Sequence, residues 1–161
     1  MKRNTLGREV GKEDIVFCIF YCKKSENNKT PFVLAHLRDD NKIGFPGGHM
    51  EKHHNTLIEA LKDEIRQEID FNNLDENRLE LLTTSINNRR HITVYSYEIT
   101  FEEIKELQKN SIKAEHYLIE NFGSILIPIT RRYMNDLLSH NFSGSAKTEL
   151  QALIYKKGLL R

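Results

Sequence analysis

The chain predicts an α/β fold with a mixed rather than an all-parallel sheet, on three observations. Short runs of strand-forming residues alternate with stretches of helical periodicity. Two of the runs, Leu79–Ser85 and His91–Ile99, face each other across the polar turn Asn87-Asn88-Arg89-Arg90 and read as a hairpin. A sheet that accepts hairpins contains antiparallel pairs, so a doubly wound parallel sheet fits less well. One helix, Thr56–Ile69, carries an apolar stripe at Leu57, Leu61 and Ile65, with Ile58 and Ile69 beside it, which suits packing on a sheet.

The elements follow in order. Ile15–Tyr21 is an apolar run rich in β formers and reads as a buried strand. Lys23–Thr30 is polar and ends at Pro31, a surface loop. Phe32–His36 reads as the second strand, and Arg38–Lys42 turns into the short segment Ile43-Gly44-Phe45. Asn55 or Thr56 can cap the helix that follows. Thr100 with Glu103 has the form of a capping box opening a helix to about Gln108. Ser124–Ile129 reads as a strand, and Arg131–Ser139 and Ser145–Lys157 as helices, the second capped by Ser145 with Glu149 nearby.

With 161 residues the chain is expected to be one domain, residues 1–161, with 1–13 as a charged N-terminal extension. The net charge of +1 excludes a global field toward nucleic acid, so any RNA contact needs a local patch. Cys18 and Cys22 share a strand face about 13 Å apart at strand rise, beyond disulfide reach. They read as buried thiols in a reducing compartment, and a zinc half-site finds no second pair. The N-terminus has no apolar run of signal-peptide type, and no window approaches membrane-spanning length. The expected location is the cytoplasm or nucleus, with no membrane partner.

The chemistry gathers around Gly44-Phe45-Pro46-Gly47-Gly48 and the helix after it. Residues three and four apart share a helix face, so Glu64, Gln67 and Glu68 converge. Converging carboxylates suit hard cations such as Mg²⁺ or Mn²⁺. Gly47 and Gly48 let the backbone turn sharply and approach a ligand. Alone, such an acidic face would read as solvated surface; the glycine turn makes it a candidate metal site.

This segment resembles a Nudix box, G-x5-E-x7-R-E-U-x-E-E-x-G-U with U apolar. Gly48, Glu64, Ile65, Glu68 and Phe71 match. The spacing from Gly48 is one residue longer, and Asn55 stands near the outer glutamate's place. Asp63 replaces the arginine, Gln67 a glutamate, and Asp70 the late glycine. The longer spacing is similar to the branch of small-nucleolar-RNA-decapping and inosine-diphosphatase-like Nudix proteins. Two distal pieces are similar to the same branch: Glu120 eight residues before Pro128, and Asn141-Phe142-Ser143-Gly144-Ser145-Ala146-Lys147. The resemblance runs from about residue 14 to the C-terminus.

The resemblance implies an α/β/α sandwich and divalent-metal-dependent hydrolysis of a nucleoside-diphosphate-linked substrate: inosine diphosphate, an RNA cap or an ADP-ribose linkage. It implies Glu64, Glu68 and Glu120 as catalytic groups, Glu64, Gln67, Glu68 and Glu120 as metal ligands, and a homodimer as found among relatives. A glutamate normally stands at Gln67, whose amide can ligate but brings no charge. Asp63 adds a carboxylate but removes the arginine that orients the helix acids. The branch also holds syndesmos, a binding protein with a damaged box, so a nucleotide-, RNA- or protein-binding module is the rival expectation.

Other residues carry two readings each. Glu51, three residues past the double glycine, is an accessory metal contact or an exposed acid. His49, His53 and His54 could meet phosphate or a softer metal, with no third ligand evident at proper spacing, or are simply exposed. Phe17 stands where relatives place a base-contacting histidine; it stacks on a base or fills the core. Ser143-Gly144-Ser145 opens a helix whose N-terminal amides could hold phosphate or cap the helix, with Ser145 the substrate-binding candidate. Arg89, Arg90 and His91 meet phosphate, a partner chain or only solvent.

Overall fold

A computed structural model describes residues 13–160; the N-terminal extension expected at 1–13 lies outside them except for Glu13, which opens the first strand. Seven strands form one mixed sheet: β1 (Glu13–Cys22), β2 (Phe32–Arg38), β3 (Ile43–Gly44), β4 (Gly47–His49), β5 (Leu79–Asn87), β6 (Arg90–Glu98) and β7 (Asn121–Pro128). The order is β3-β2-β1-β6-β5, with β4 on β1 and β7 on β2. Among the described strands, β1 and β6 run parallel and the other pairs are antiparallel, as the hairpin in the sequence requires.

Among the described residues four α-helices cover the sheet: α1 (Leu57–Ile69), α2 (Phe101–Asn110), α3 (Met134–Ser139) and α4 (Ala146–Lys157). One core joins Val16, Cys18, Phe20 and Leu34 to Leu61, Ile65 and Ile104 of α1 and α2. The other joins Ile19, Tyr21, Val33 and Ala35 to Leu137, Leu150 and Leu153 of α3 and α4. Strand β1 is therefore covered on both faces, which is why it reads as a continuous apolar run rather than an alternation. Cys18 and Cys22 are free and buried in the first core.

Several boundaries differ from the sequence reading, each for a local reason. The β5–β6 turn tightens to Asn88-Arg89, because Asn88 adopts a positive φ of 53° and lets both strands extend. Strand β7 begins three residues earlier, at Asn121. Arg131–Ser139 splits into a 3₁₀ turn and the short α3, with no side-chain cap at Thr130. Asp70, where the box has glycine, ends α1 in the left-handed region (φ 56°, ψ 36°) and returns its N–H to Arg66 O. Aspartate tolerates that conformation better than most residues, so the substitution leaves the helix end intact. The Thr100–Glu103 capping box forms as expected.

Candidate active site

The site lies where β1 changes partners. Its C-terminal end pairs with β2, while Ile15–Phe17 pairs with β4. That pairing brings the glycines against β1 on one side and α1 on the other. Gly47 has φ +149°, and a Cβ there would sit 2.1 Å from Val16 O, so no side chain fits. Its N–H donates to Glu68 Oε2 at 2.8 Å. A Cβ on Gly48 would lie 2.6 Å from the Glu64 carboxyl carbon. The two glycines thus do different things: Gly47 lets β4 approach β1, and Gly48 leaves the volume the Glu64 carboxylate occupies.

Gly48→Ala is accordingly expected to keep the fold, because the group it meets ends a movable side chain. It should displace the Glu64 carboxylate and cut turnover by about 100-fold. Kinetics beside a melting curve check this; unchanged turnover would show that Glu64's position is unimportant.

Glu68 is buried and Glu64 half-buried. Burial pushes both carboxyls above their ordinary range, and repulsion from Glu120 adds to each. Glu64 also repels Glu68, while the Gly47 N–H and Arg38 oppose the rise. His116 and His49 temper the shift at Glu64. Three carboxylates that repel one another in a partly dehydrated cavity form an arrangement that a divalent cation would relieve.

Glu120 comes from a distant, exposed loop, and a backbone bond explains how it arrives. His116 N–H donates to Gln67 O at 2.9 Å, and Glu120 N–H donates to His116 O at 3.0 Å. Glu120 Oε2 then lies 3.0 Å from His116 Nδ1. Gln67 itself lines the cavity beside Glu64 and Glu68.

Asp63 departs from both roles weighed for it. It turns from the acidic cluster to the preceding loop, where His54 Nε2 lies 2.8 Å from its Oδ2 and His53 Nε2 3.6 Å. The His54 hydrogen bond holds Asp63 below the usual carboxylate range. The sequence showed no third group for the histidines; the fold supplies Asp63, and the three ligand atoms lie within 4.8 Å of one another. The bonding argues for a clasp, however, not a metal centre. Glu51 N–H donates to His54 Nδ1 at 3.0 Å, so the neutral imidazole carries its proton on Nε2 and gives it to Asp63. A double-mutant cycle of His54→Ala and Asp63→Ala should show a coupling of about 0.5–3 kcal/mol in urea unfolding. Additive losses would refute the clasp.

These groups open onto a cavity of about 660 Å³, which suits a nucleotide-sized ligand. The catalytic, metal and substrate candidates from the sequence all border it: Phe17, Gly47, Gly48, Glu64, Gln67, Glu68, Glu120 and Ser145, with Glu51 and the three histidines, whereas of the hairpin residues Arg89, Arg90 and His91 it takes in Arg90 and not the other two. Phe17 is half-buried and packs with Ile92 against the second core, so core and cavity share it. Ser145 stands at the N-cap of α4, but its side chain makes no capping bond; the hydroxyl donates to Glu149 Oε1 at 2.6 Å. Arg90 borders the cavity and pairs with Glu13 Oε2 at 3.3 Å. Arg38, His116 and Glu149 also line it and were not singled out as site residues from sequence. Only His116, four residues before Glu120, carried a usable signal.

A mixed sheet between helix layers, with a glycine strand set against an acidic helix, defines a Nudix domain. Solved structures share the fold. A mutT/nudix family protein from Listeria innocua covers 96% of this chain and 100% of its own, with TM-score 0.61 and 14% identity. A C. elegans Ap4A hydrolase covers 91% and 98%, with TM-score 0.59 and 9% identity. Within that class the chain belongs to the Nudt16-like family, U8 snoRNA-decapping enzyme-like, whose model matches residues 14–160. Its relatives include the U8 snoRNA-decapping enzymes of Homalodisca vitripennis, 27% identical over 70% of this chain, and Xenopus laevis, 26% identical over 80%. The chain spans 64% and 66% of those proteins' own lengths. A Tudor-interacting repair regulator protein of Gallus gallus is 23% identical over 73% of this chain and 40% of its own length.

Proposed function

We propose that this chain hydrolyses a nucleoside-diphosphate linkage in a free nucleotide or a capped RNA, with Mg²⁺ or Mn²⁺ as cofactor. The observation that carries the reading is the placement of Glu64 and Glu68 at the glycine strand, with Glu120 brought to them from the β7 side. The donor set is all oxygen, which fits a hard cation. When bound by Glu64, Glu68 and Glu120, with Gln67 in reach, such an ion would neutralise diphosphate oxygens and acidify a water. The residues' own part is positional. Gly47 N–H orients the Glu68 carboxylate, the His116 backbone ties Glu120 to Gln67, and Arg38 offers the cavity a positive charge for phosphate. Naming of relatives as U8 snoRNA-decapping enzymes supports a capped RNA among the substrates.

The binding-module reading has its own support. Gln67 brings no charge, and Asp63 is taken up by His54 and so does not replace it. A relative named for an interaction rather than a reaction lies in the same set. The test is product release from inosine diphosphate, ADP-ribose, FAD and capped RNA with Mg²⁺ or Mn²⁺. Turnover abolished by EDTA supports hydrolysis. Silence on every substrate would overturn it in favour of binding.

A further inference from the structure

Helix α4 joins two hollows. Its first turn, at Ala146 and Glu149, borders the acidic cavity. Its last turns border a second groove of about 610 Å³, shared with α3 and the turn at Arg131. From Ser145 to Tyr155 the helix rises about 15 Å, so a few nucleotides of extended chain span the distance. The proposed hydrolysis makes no use of the groove. Met134, Leu138 and Ile154 give it an apolar floor, and among the described residues none that line it is acidic. Arg131 Nε donates to Leu160 O at 3.3 Å, which holds the guanidinium there and leaves its terminal N–H groups to an outside acceptor. Lys156 Nζ donates to the Leu82 carbonyl. Lys157 pairs with Glu80, but Arg131, Lys147 and Lys156 pair with no carboxylate among the described residues.

Two tyrosines are open to solvent beside these cations. Tyr155 is 86% exposed and Tyr133 47%, with the Arg132 guanidinium 5.2 Å from the Tyr133 ring centre. A ring left that far in water forgoes the burial that normally stabilises it. Lys147, Gln151 and Tyr155 recur at four-residue steps on the exposed face of α4. A cation, an amide and a ring therefore form one stripe from the cavity to the groove.

We propose that this stripe and groove bind single-stranded RNA continuing from a substrate seated in the cavity. The inference rests on the capped-RNA reading above and extends it from the 5′ end to the body of the strand. Each nucleotide brings a phosphate and a flat base. The phosphates suit the cations, which have no acid to answer them. The bases stack on exposed rings whatever their sequence, and the apolar floor accepts a base face. A duplex keeps its bases stacked inside and offers the tyrosines nothing. An acidic peptide would meet the cations and leave the rings and floor unused. With a net charge of +1 the chain has no general field for RNA, so binding needs a local patch of this kind.

The experiment uses an uncapped, 3′-labelled RNA of about ten nucleotides, followed by fluorescence anisotropy in EDTA so that no hydrolysis intervenes. Tyr155→Ala and Arg131→Gln change exposed side chains, and melting curves confirm that both are folded. Wild type should bind the single strand, and the same sequence as a duplex more weakly. Tyr155→Ala should weaken single-strand binding about tenfold. Arg131→Gln should lower the slope of log affinity against log salt by about 1. With Mg²⁺, Tyr155→Ala should raise KM for a capped RNA of the same length and spare kcat; a capped dinucleotide, too short to reach the groove, should not register the change. Failure of wild type to bind, a duplex bound as tightly, or variants that bind and turn over capped RNA like wild type overturns the proposal. Strand binding lost in Tyr155→Ala without any turnover would sink hydrolysis and leave this inference standing; turnover by a chain that binds no RNA would do the reverse.

Discussion

Glu68→Gln is expected to cut divalent-metal-dependent turnover at least about 100-fold, since a direct ligand should matter no less than an outer partner. The same change should stabilise the metal-free protein. Glu68 is buried with its carboxyl pushed well above the ordinary value of 4.5, first by burial and then by Glu64 and Glu120. A folded-state value above the unfolded one means that the folded chain holds the proton longer. Its contribution to stability is therefore full below about pH 4.5 and declines as pH rises toward the folded value. Glutamine removes that loss and keeps an oxygen for the Gly47 N–H. In EDTA the variant should therefore melt above wild type at pH 8, with the gap closing toward pH 4.5. Each kcal/mol corresponds to about 2–4 °C in a chain of this size. Mg²⁺ at about 100 times its Kd should return about 2.7 kcal/mol to wild type and far less to the variant. Unchanged turnover, or a variant less stable in EDTA at pH 8, would refute the assignment.

Gly47→Ala should destabilise the fold by about 3 kcal/mol or more, because two penalties coincide. The φ of +149° disfavours any side chain, and the new Cβ would meet Val16 O, an atom held in the centre of the sheet. Relief requires β4 to move off β1, which also breaks the Gly47–Glu68 bond. Urea unfolding measures the loss. A cost below about 1 kcal/mol would mean that the β1–β4 register tolerates the shift. The contrast with Gly48→Ala is the sharper test: one glycine should fail in stability, the other in activity.

Much of this was legible in the chain itself. The period of Leu57, Leu61 and Ile65 fixed α1 to the sheet and placed Glu64 and Glu68 together, since helix geometry is local. The capping box at Thr100 and the Asn-rich hairpin turn are short-range signals and were equally readable. Ser145 was less so, because nothing local distinguishes a hydroxyl that caps a helix from one that turns to a buried acid four residues on.

What the sequence determined by itself, then, is the helical acid pair, the glycines before it and the mixed sheet, all of which follow from period, spacing and backbone freedom. What only the tertiary structure decided is which groups face one another across the cavity. Asp63 lies beside Glu64 in sequence, yet it pairs with His54 because the loop before α1 folds back over the helix. Glu120 lies 52 residues beyond Glu68 and is brought to the site by its own loop, which the His116 N–H ties to Gln67 O. Glu149 comes from α4, on the far face of the sheet, and lines the same cavity as Phe17 and Ile92. Such pairings depend on packing between elements remote in the chain, and no periodicity within one element encodes them.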